Sequence, residues 1–419
     1  MSASLIHRLA RRDGPLDLVL VGLGFMGAGF LRQAALVPGV RVPLVITRDP
    51  DRSAALLRQQ GCEVAFSADP RAILRNAERG IVSLWPSLEV LERVPFPIVV
   101  EMSGAVEYGA RVALAAFESG KHVVTFNPEL HVTLGSALHE VAASRGLVFT
   151  DAEGDQPGTL AALMEQARSF GFVPLMAGNL KGHLDRTATP DTMRPWAERH
   201  ALSARQTTAF ADGTKLAFEM ALVANYFGMR ASRRGMQGPA AERVEEALTR
   251  FDWANQPSEG SVDYLIGAGL PPGVFVIGTL QDPRQAPYLR YMKLGDGPRY
   301  LLQRPFHLCH LEAMESVARV ALWGEATIHN GAHPTTQVIA CPKRPIQAGE
   351  TLDASGGYCA YGLLENIEVV QREGLAPMGL LEGAVARRNL AAGVPIPLDA
   401  VELPSNLVTT LFTASPSPV

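Results

Sequence analysis

The sequence predicts an α/β chain in three successive parts, and three observations carry that reading. An apolar strand, Leu16-Asp17-Leu18-Val19-Leu20-Val21, runs straight into Gly22-x-Gly24-x-x-Gly27 and then into a helical segment. Short apolar runs alternate with helix-like segments over residues 1–150, the pattern of a doubly wound parallel sheet. Past residue 335, the segment from Lys343-Arg344 to Ala348-Gly349 is echoed by Arg387-Arg388 to Ala392-Gly393, as in a pseudo-symmetric β-clip. The expected domains are therefore a dinucleotide-binding Rossmann domain over 1–150, an α+β catalytic and dimerisation domain over 151–334, and a β-clip over 335–410. A chain of 419 residues is long enough for that many cores.

The glycine segment has a physical logic. Gly22 permits a tight turn, Gly24 lets backbone approach a pyrophosphate, and Gly27 lets the helix pack closely on the strand. Phe25 and Met26 open the helix, whose free N–H groups and positive dipole end suit phosphate. Strands are expected at 17–22, 42–47, 80–84, 97–101, 122–126 and 146–150. The second ends in Arg48, with Asp49 and Asp51 just beyond. An arginine there can hold a ribose 2′-phosphate, which favours NADP(H) over NAD(H). Glu101-Met102-Ser103-Gly104 and Val123 to Asn127-Pro128-Glu129 open at the carboxyl edge of the sheet, where the nicotinamide half of a cofactor belongs.

In the central region, Asp151, Glu153 and Asp155 crowd the exit of a strand before Pro157. Three readings stay open there: Asp151 and Glu153 on Mg²⁺ or Mn²⁺, carboxylates on substrate hydroxyls, or simple charge at a helix N-terminus. The segment Asn179-Leu180-Lys181-Gly182-His183-Leu184-Asp185-Arg186 reads as a polar loop beyond a strand at 172–177, with Lys181 and Arg186 able to hold an anion. Residues 187–205 read as a mobile cover. Asp212 is expected to cap the apolar helix that carries Lys215 in its first turn and Glu219 one turn on. A cation there opposes the helix dipole, and a desolvated lysine can donate a proton near neutrality. A hairpin beginning at 273–280 would end in Arg304 and His307, both within reach of a phosphate, while Cys309 and His310 pack. The Gly/Tyr-rich stretch around Gly356, Gly357, Tyr358, Tyr361 and Gly362 reads as loop, and 413–419 as a loose end.

Composition excludes several classes. A net charge of −4 gives no footprint for nucleic acid or anionic membrane. The cluster Arg8, Arg11 and Arg12 is short and reads as the solvated face of a leading helix. No apolar run nears the roughly 20 residues that span a bilayer, and the N-terminus lacks the apolar core of a signal peptide. Cys62, Cys309, Cys341 and Cys359 are scattered, as expected of free thiols in a cytoplasmic protein.

Glu101-Met-Ser-Gly104, Val123-Val-Thr-Phe-Asn127, Asp151 to Gly158 and Asp212 to Lys215 resemble, in sequence and order, the corresponding segments of homoserine dehydrogenases. The tail resembles a SAF domain, the β-clip of sialic acid synthases and altronate dehydratases. Together they resemble the SAF-containing oxidoreductases that include deoxyxylulose-phosphate reductoisomerase-like enzymes. That resemblance implies a nicotinamide cofactor held by Gly22, Gly24, Phe25, Met26, Gly27, Arg48, Ser103, Gly104 and Asn127. Residues and resemblance together assign catalytic roles to Lys181, Asp212, Lys215 and Glu153, with Asp155, Arg186, Arg304 and His307 on substrate, and leave open which of Lys181 and Lys215 is proton donor and which anion clamp. Reductoisomerases place an Asp-x-Glu pair on metal, the spacing of Asp151 and Glu153. The dehydrogenases carry Asp and Lys four apart where Asp212 and Lys215 are three apart, and a second lysine where this chain has Pro128. Authentic homoserine dehydrogenase activity is therefore not expected. The expected reaction is carbonyl reduction of a small anionic hydroxylated substrate by a homodimer or homotetramer, with a reductoisomerase-like reaction as its sharpest form. The alternatives are a plain dehydrogenase of a sugar acid, polyol or amino-acid-derived aldehyde, or a non-catalytic cofactor- or carbohydrate-binding protein.

Overall fold

The apolar run at the start of the chain forms β1 (Leu16–Val21), buried along nearly its whole length. Parallel to it lie β2 (Val40–Ile46), β3 (Val64–Phe66), β4 (Val82–Trp85), β5 (Ile98–Glu101), β6 (His122–Thr125) and β7 (Phe149–Asp151), in the order β3-β4-β2-β1-β5-β6-β7. Strands covered on both faces need no polar alternation, which is why they read as plain apolar runs. The order reverses between β1 and β5, so the carboxyl ends of those two strands flank the crevice where such sheets take ligands. Two strands sit later than expected, at 82–85 and 149–151. The strand β3 was not anticipated, because three residues show no periodicity.

This computed structural model describes residues 5–414. It divides into two compact units, and the division does not follow chain order. The first comprises the chain up to Leu130, then Ala137–Asp155 and Leu308–His329. Its core joins Leu18, Leu20, Phe30, Val45 and Val100 to Met314 and Val317 from the last of those segments. Arg8, Arg11 and Arg12 are exposed at its leading helix Leu5–Leu9, as expected.

The second unit comprises His131–Ser136, Gln156–His307 and the chain from Asn330 onward. Its sheet has the order β11-β10-β8-β9, from β8 (Phe172–Lys181), β9 (Ser261–Ile266), β10 (Val274–Leu280) and β11 (Tyr300–Arg304). The pair β8–β9 is parallel, and β10 runs antiparallel to both β8 and β11. Two expectations are corrected here. Asn179, Leu180 and Lys181 belong to the strand, not to a loop beyond it. Residues 187–205, expected without regular structure, are mostly helical: Thr189 caps the helix Pro190–Arg199 with a reciprocal capping box, and Ser203 caps Ala204–Ala211.

The C-terminal part pairs β12 (Thr336–Pro342) with β13 (Ala360–Asn366), and β14 (Val385–Ala386) with β15 (Val401–Glu402). Tyr361 and Gly362 thus lie in a strand, while Gly356, Gly357 and Tyr358 form the turn before it. The expected pseudo-symmetry is real at the backbone. Ile346 and Leu390 exchange reciprocal N–H to carbonyl bonds of 3.0 and 2.9 Å. The bond from Gly349 N–H to the Ala386 carbonyl repeats as Gly393 to Pro342, and that from Leu352 to Ala384 repeats as Ile396 to Ala340. The chain ends its described part in the helix Leu407–Ala414. Thr413 and Ala414 are helical, and the rest of the expected loose end lies outside the described residues.

Candidate active site

In the first unit, the three glycines behave differently. Gly22 has φ +92°, and a Cβ there would come within 2.9 Å of the Met102 carbonyl. A Cβ on Gly27 would come within 2.2 Å of the Gly22 oxygen, so strand and helix touch backbone to backbone. At Gly24 an added Cβ meets nothing within 4 Å. That space fronts the start of the helix Phe25–Ala35, where no side chain caps the free N–H groups. Bare amides, open space and a positive dipole end fit a pyrophosphate. Phe25 is exposed and Met26 half-buried beside it. Arg48 is exposed at the exit of β2, while the Asp49 carboxylate accepts the Arg52 N–H as a helix cap.

At the ends of β5 and β6 a buried carboxyl ties two loops together. Glu101 accepts the Ser103 N–H at 2.6 Å and Asn127 Nδ2 at 3.3 Å. Burial pushes its carboxyl above the usual range, against the lowering effect of those bonds and with a further push from Glu129. Asn127 is itself fully buried: its amide also donates to the Ala105 carbonyl, and its oxygen accepts the Leu130 N–H. The Asn127 side chain thus braces the two loops. Gly104 follows Ser103 at φ +67°. Glu101 is the residue that the sequence quoted but did not single out.

Asp151 is buried, and one of its oxygens takes the Thr125 hydroxyl at 3.1 Å and the Asn127 N–H at 3.2 Å. The Glu153 N–H donates to Ser316 Oγ at 2.7 Å, and Asp155 is buried two residues on. Among the described residues no group of three or more His, Cys, Asp or Glu side chains is placed to hold a metal ion. Cys309 and His310 pack, as expected. The Cys309 N–H donates to the Gly154 carbonyl at 3.0 Å, and the His310 ring lies where a Cβ on Gly29 would be.

In the second unit, the end of β8 and the start of the helix Thr214–Phe227 bring a polar cluster together. Asn179 and Gln156 exchange amide bonds, and Asn179 Nδ2 reaches Glu219 at 3.3 Å. Lys181 lies two residues along the same face of β8, with its Nζ 5.8 Å from the centre of the Phe210 ring. Burial pulls the Lys181 ammonium below its ordinary range. Glu219 and Asp212 oppose that shift, and Lys215 adds to it. The formal cap of the Thr214 helix is Gly213, at φ +85°, not Asp212. Asp212 ends the preceding helix, yet its carboxylate still accepts the Thr214 N–H at 2.8 Å. Its other oxygen pairs with Lys343 Nζ at 2.8 Å, a partner from the C-terminal part that no sequence spacing announced.

Other expected substrate residues are distributed around this sheet. The strand register places Arg304 level with Val274 and Asn179, at the same end of the sheet as Lys181. Its guanidinium lies 5.0 Å from the centre of the Phe306 ring, and His307 follows. Arg186 is turned onto the ring of Tyr361, at 5.2 Å.

Three family models match along the chain: "Homoserine dehydrogenase, NAD binding domain" over residues 22–150, "Oxidoreductase DRL, catalytic domain" over 154–313, and "SAF domain" over 338–402. A curated homoserine dehydrogenase of Methylobacillus glycogenes is 30% identical over 122 residues, which is 28% of this chain and 26% of that protein. The matched stretch thus spans about a quarter of that relative's length. Among solved structures, a homoserine dehydrogenase from Thiobacillus denitrificans is similar at 15% identity and TM-score 0.46, covering 92% of this chain and 99% of the other. An NAD-binding protein from Listeria innocua matches at 15% identity and TM-score 0.33, over 70% and 67% of the two chains.

Proposed function

We propose that this homoserine-dehydrogenase-like, SAF-domain-containing NAD(P)-dependent oxidoreductase reduces the carbonyl of a small, anionic, hydroxylated substrate, with Lys181 as the proton donor. The observation that carries the reading is the Lys181 cluster. An ammonium whose proton is loosened by burial, against the opposing pull of Glu219 and Asp212, suits general-acid work. The bound nicotinamide would supply a hydride to the carbonyl carbon. Lys181 Nζ would give its proton to the carbonyl oxygen, leaving an alcohol and a neutral amine that reprotonates from solvent. Lys215 and Arg304 would hold the substrate's anionic group, and Gln156 with Asn179 would fix the Glu219 carboxylate that faces Lys181. NADP(H) is preferred on this reading, because Arg48 is exposed beyond β2 while the adjacent acid, Asp49, is occupied as a cap.

The test follows NADPH and NADH oxidation with a panel of small anionic hydroxycarbonyls that includes deoxyxylulose phosphate, with and without Mn²⁺ and chelator. Turnover that survives chelator and falls about 10²- to 10⁴-fold in Lys181→Met supports the reading. Turnover of deoxyxylulose phosphate that demands Mn²⁺ would replace it with a reductoisomerase reaction. Cofactor binding with no turnover of any carbonyl would leave only a cofactor-binding protein.

A further inference from the structure

The buried pair between Asp212 and Lys343 joins the SAF domain to the catalytic cluster. Lys343 leaves β12, and its side chain is 3% exposed, that of Asp212 0%. Nζ makes three contacts: the Asp212 carboxylate at 2.8 Å, and the carbonyls of Ala188 and Gly357 at 2.7 Å each. Two of these contacts are hydrogen bonds to backbone carbonyls, and the third is an ion pair with the Asp212 carboxylate. The neighbouring strand reinforces the junction. The Gly362 N–H of β13 donates to Thr214 Oγ1 at 2.8 Å, at the first turn of the helix that bears Lys215 and Glu219. The pseudo-symmetry sharpens the point. Lys343 corresponds to Arg387 in the second half of the clip, which is exposed, whereas Lys343 has been turned inward onto a carboxylate of the catalytic part.

We propose that Lys343 is a positioning residue through which the SAF domain sets the protonation of Lys181, by neutralising Asp212. The proposal rests on the reading of Lys181 as proton donor. Lys181 Nζ lies 5.8 Å from the centre of the Phe210 ring, on the helix that Asp212 ends, and the charges that act on it are Glu219, Asp212 and Lys215. Around Lys343 the charged groups are Asp212 and Asp185, whose carboxylate is held low first by the Thr187 hydroxyl and amide, with lesser help from His183 and Lys343. With Lys343 in place, the charge of Asp212 is shared, and Glu219 is left as the principal counter-charge of Lys181. Without Lys343, the whole of that carboxylate's field falls on Lys181. Removing a cation raises the proton affinity of every group left near it.

The test reads Lys181 itself in the full-length chain. The pH dependence of trace acetylation by acetic anhydride, which attacks neutral amines, is followed by mass spectrometry of the Lys181 peptide. In Lys343→Met the titration is expected to move up by about one pH unit, which makes labelling about tenfold slower at a fixed pH below it. Lys343→Arg, which keeps the charge, should restore most of the wild-type profile. An unmoved titration in a folded K343M would overturn the proposal. If K343M does not fold, D212N/K343M, which removes the pair whole and buries no lone charge, is compared with wild type. Because Lys343 neutralises Asp212, the Lys181 titration is expected to stay at the wild-type position there, and a shift of about one pH unit overturns the proposal. Turnover is not the readout, so an unmoved titration with normal Lys181-dependent turnover sinks the coupling alone. A shifted titration with no effect of Lys181→Met on turnover sinks only the catalytic reading.

Discussion

Glu101 shows how much one buried carboxyl can organise. It accepts from the Ser103 backbone and the Asn127 amide, and so fixes two loops at the carboxyl ends of adjacent strands. Glu101→Ala strands both donors, and a buried donor without a partner costs about 1–3 kcal/mol. The expected result is a lower urea midpoint together with weaker NADPH binding by fluorescence titration. Glu101→Gln should lose less, because its oxygen can still take the Ser103 N–H. The pH sign follows from the raised carboxyl pKa. A folded-state pKa above the unfolded one contributes stability at low pH that is lost as pH climbs through the folded value. The variant's deficit should therefore shrink as pH rises, and a deficit that grows with pH would refute this account. The sequence offered Glu101 only as the first letter of a motif, since nothing in its spacing reveals that Asn127 lies against it. Lys343 was hidden for the same reason, more than a hundred residues from the carboxylate it meets.

Among the elements, the strand–turn–helix at Gly22 to Gly27 was legible because its backbone demands are local. Only glycine suits φ +92° at Gly22, and only a hydrogen fits between Gly27 and the Gly22 oxygen. These positions make a sharp prediction. Gly27→Ala drives a Cβ into backbone and should lower both the melting temperature and NADPH affinity. Gly24→Ala meets nothing in the protein, so it should leave the melting temperature within about 1–2 °C while weakening NADPH, because the Cβ fills the space left for pyrophosphate. Equal loss of stability in the two variants would refute that division of roles. Elements set by tertiary packing were less legible. Asn179 to Lys181 looked like a loop, because polar residues at the end of a strand break the apolar run. They are strand because β9 pairs with all three and β10 with Asn179. The helices at 190–199 and 204–211 were missed, although Thr189 and Ser203 are ordinary capping residues, because the segment between them lacks a clear apolar period.

Across the whole molecule, two buried titrating groups pull the two compact units in opposite directions. In the first unit, His329 stacks on His139 with ring centres 4.2 Å apart. Burial lowers its pKa to about 4, with a smaller push from His139. An imidazole with a depressed folded pKa takes up protons more readily unfolded, so stability falls as pH drops from about 6.5 toward 4. In the second unit, Asp263 on β9 accepts the N–H groups of Gln237, Gly238 and Tyr264, yet burial raises its carboxyl to about 6. Its contribution has the opposite sign: stability rises as pH falls from about 6 toward 3.8. Between pH 7 and 5 the first unit should lose about 2 kcal/mol through His329, and the second should gain about 1 kcal/mol through Asp263. The paired surface carboxylates of the second unit, Glu246 and Glu373 among them, are held below their ordinary range. They therefore titrate below this window and do not mask the effect. In calorimetry at the two pH values, His329→Phe should therefore lose less stability than wild type on going from pH 7 to 5, and Asp263→Asn should lose more, by about those amounts. The Glu101 carboxyl, raised by burial in the first unit, adds a contribution of Asp263's sign to all three chains and cancels from these differences. Acid shifts of melting temperature that match wild type in both variants would show that neither group titrates as its burial demands.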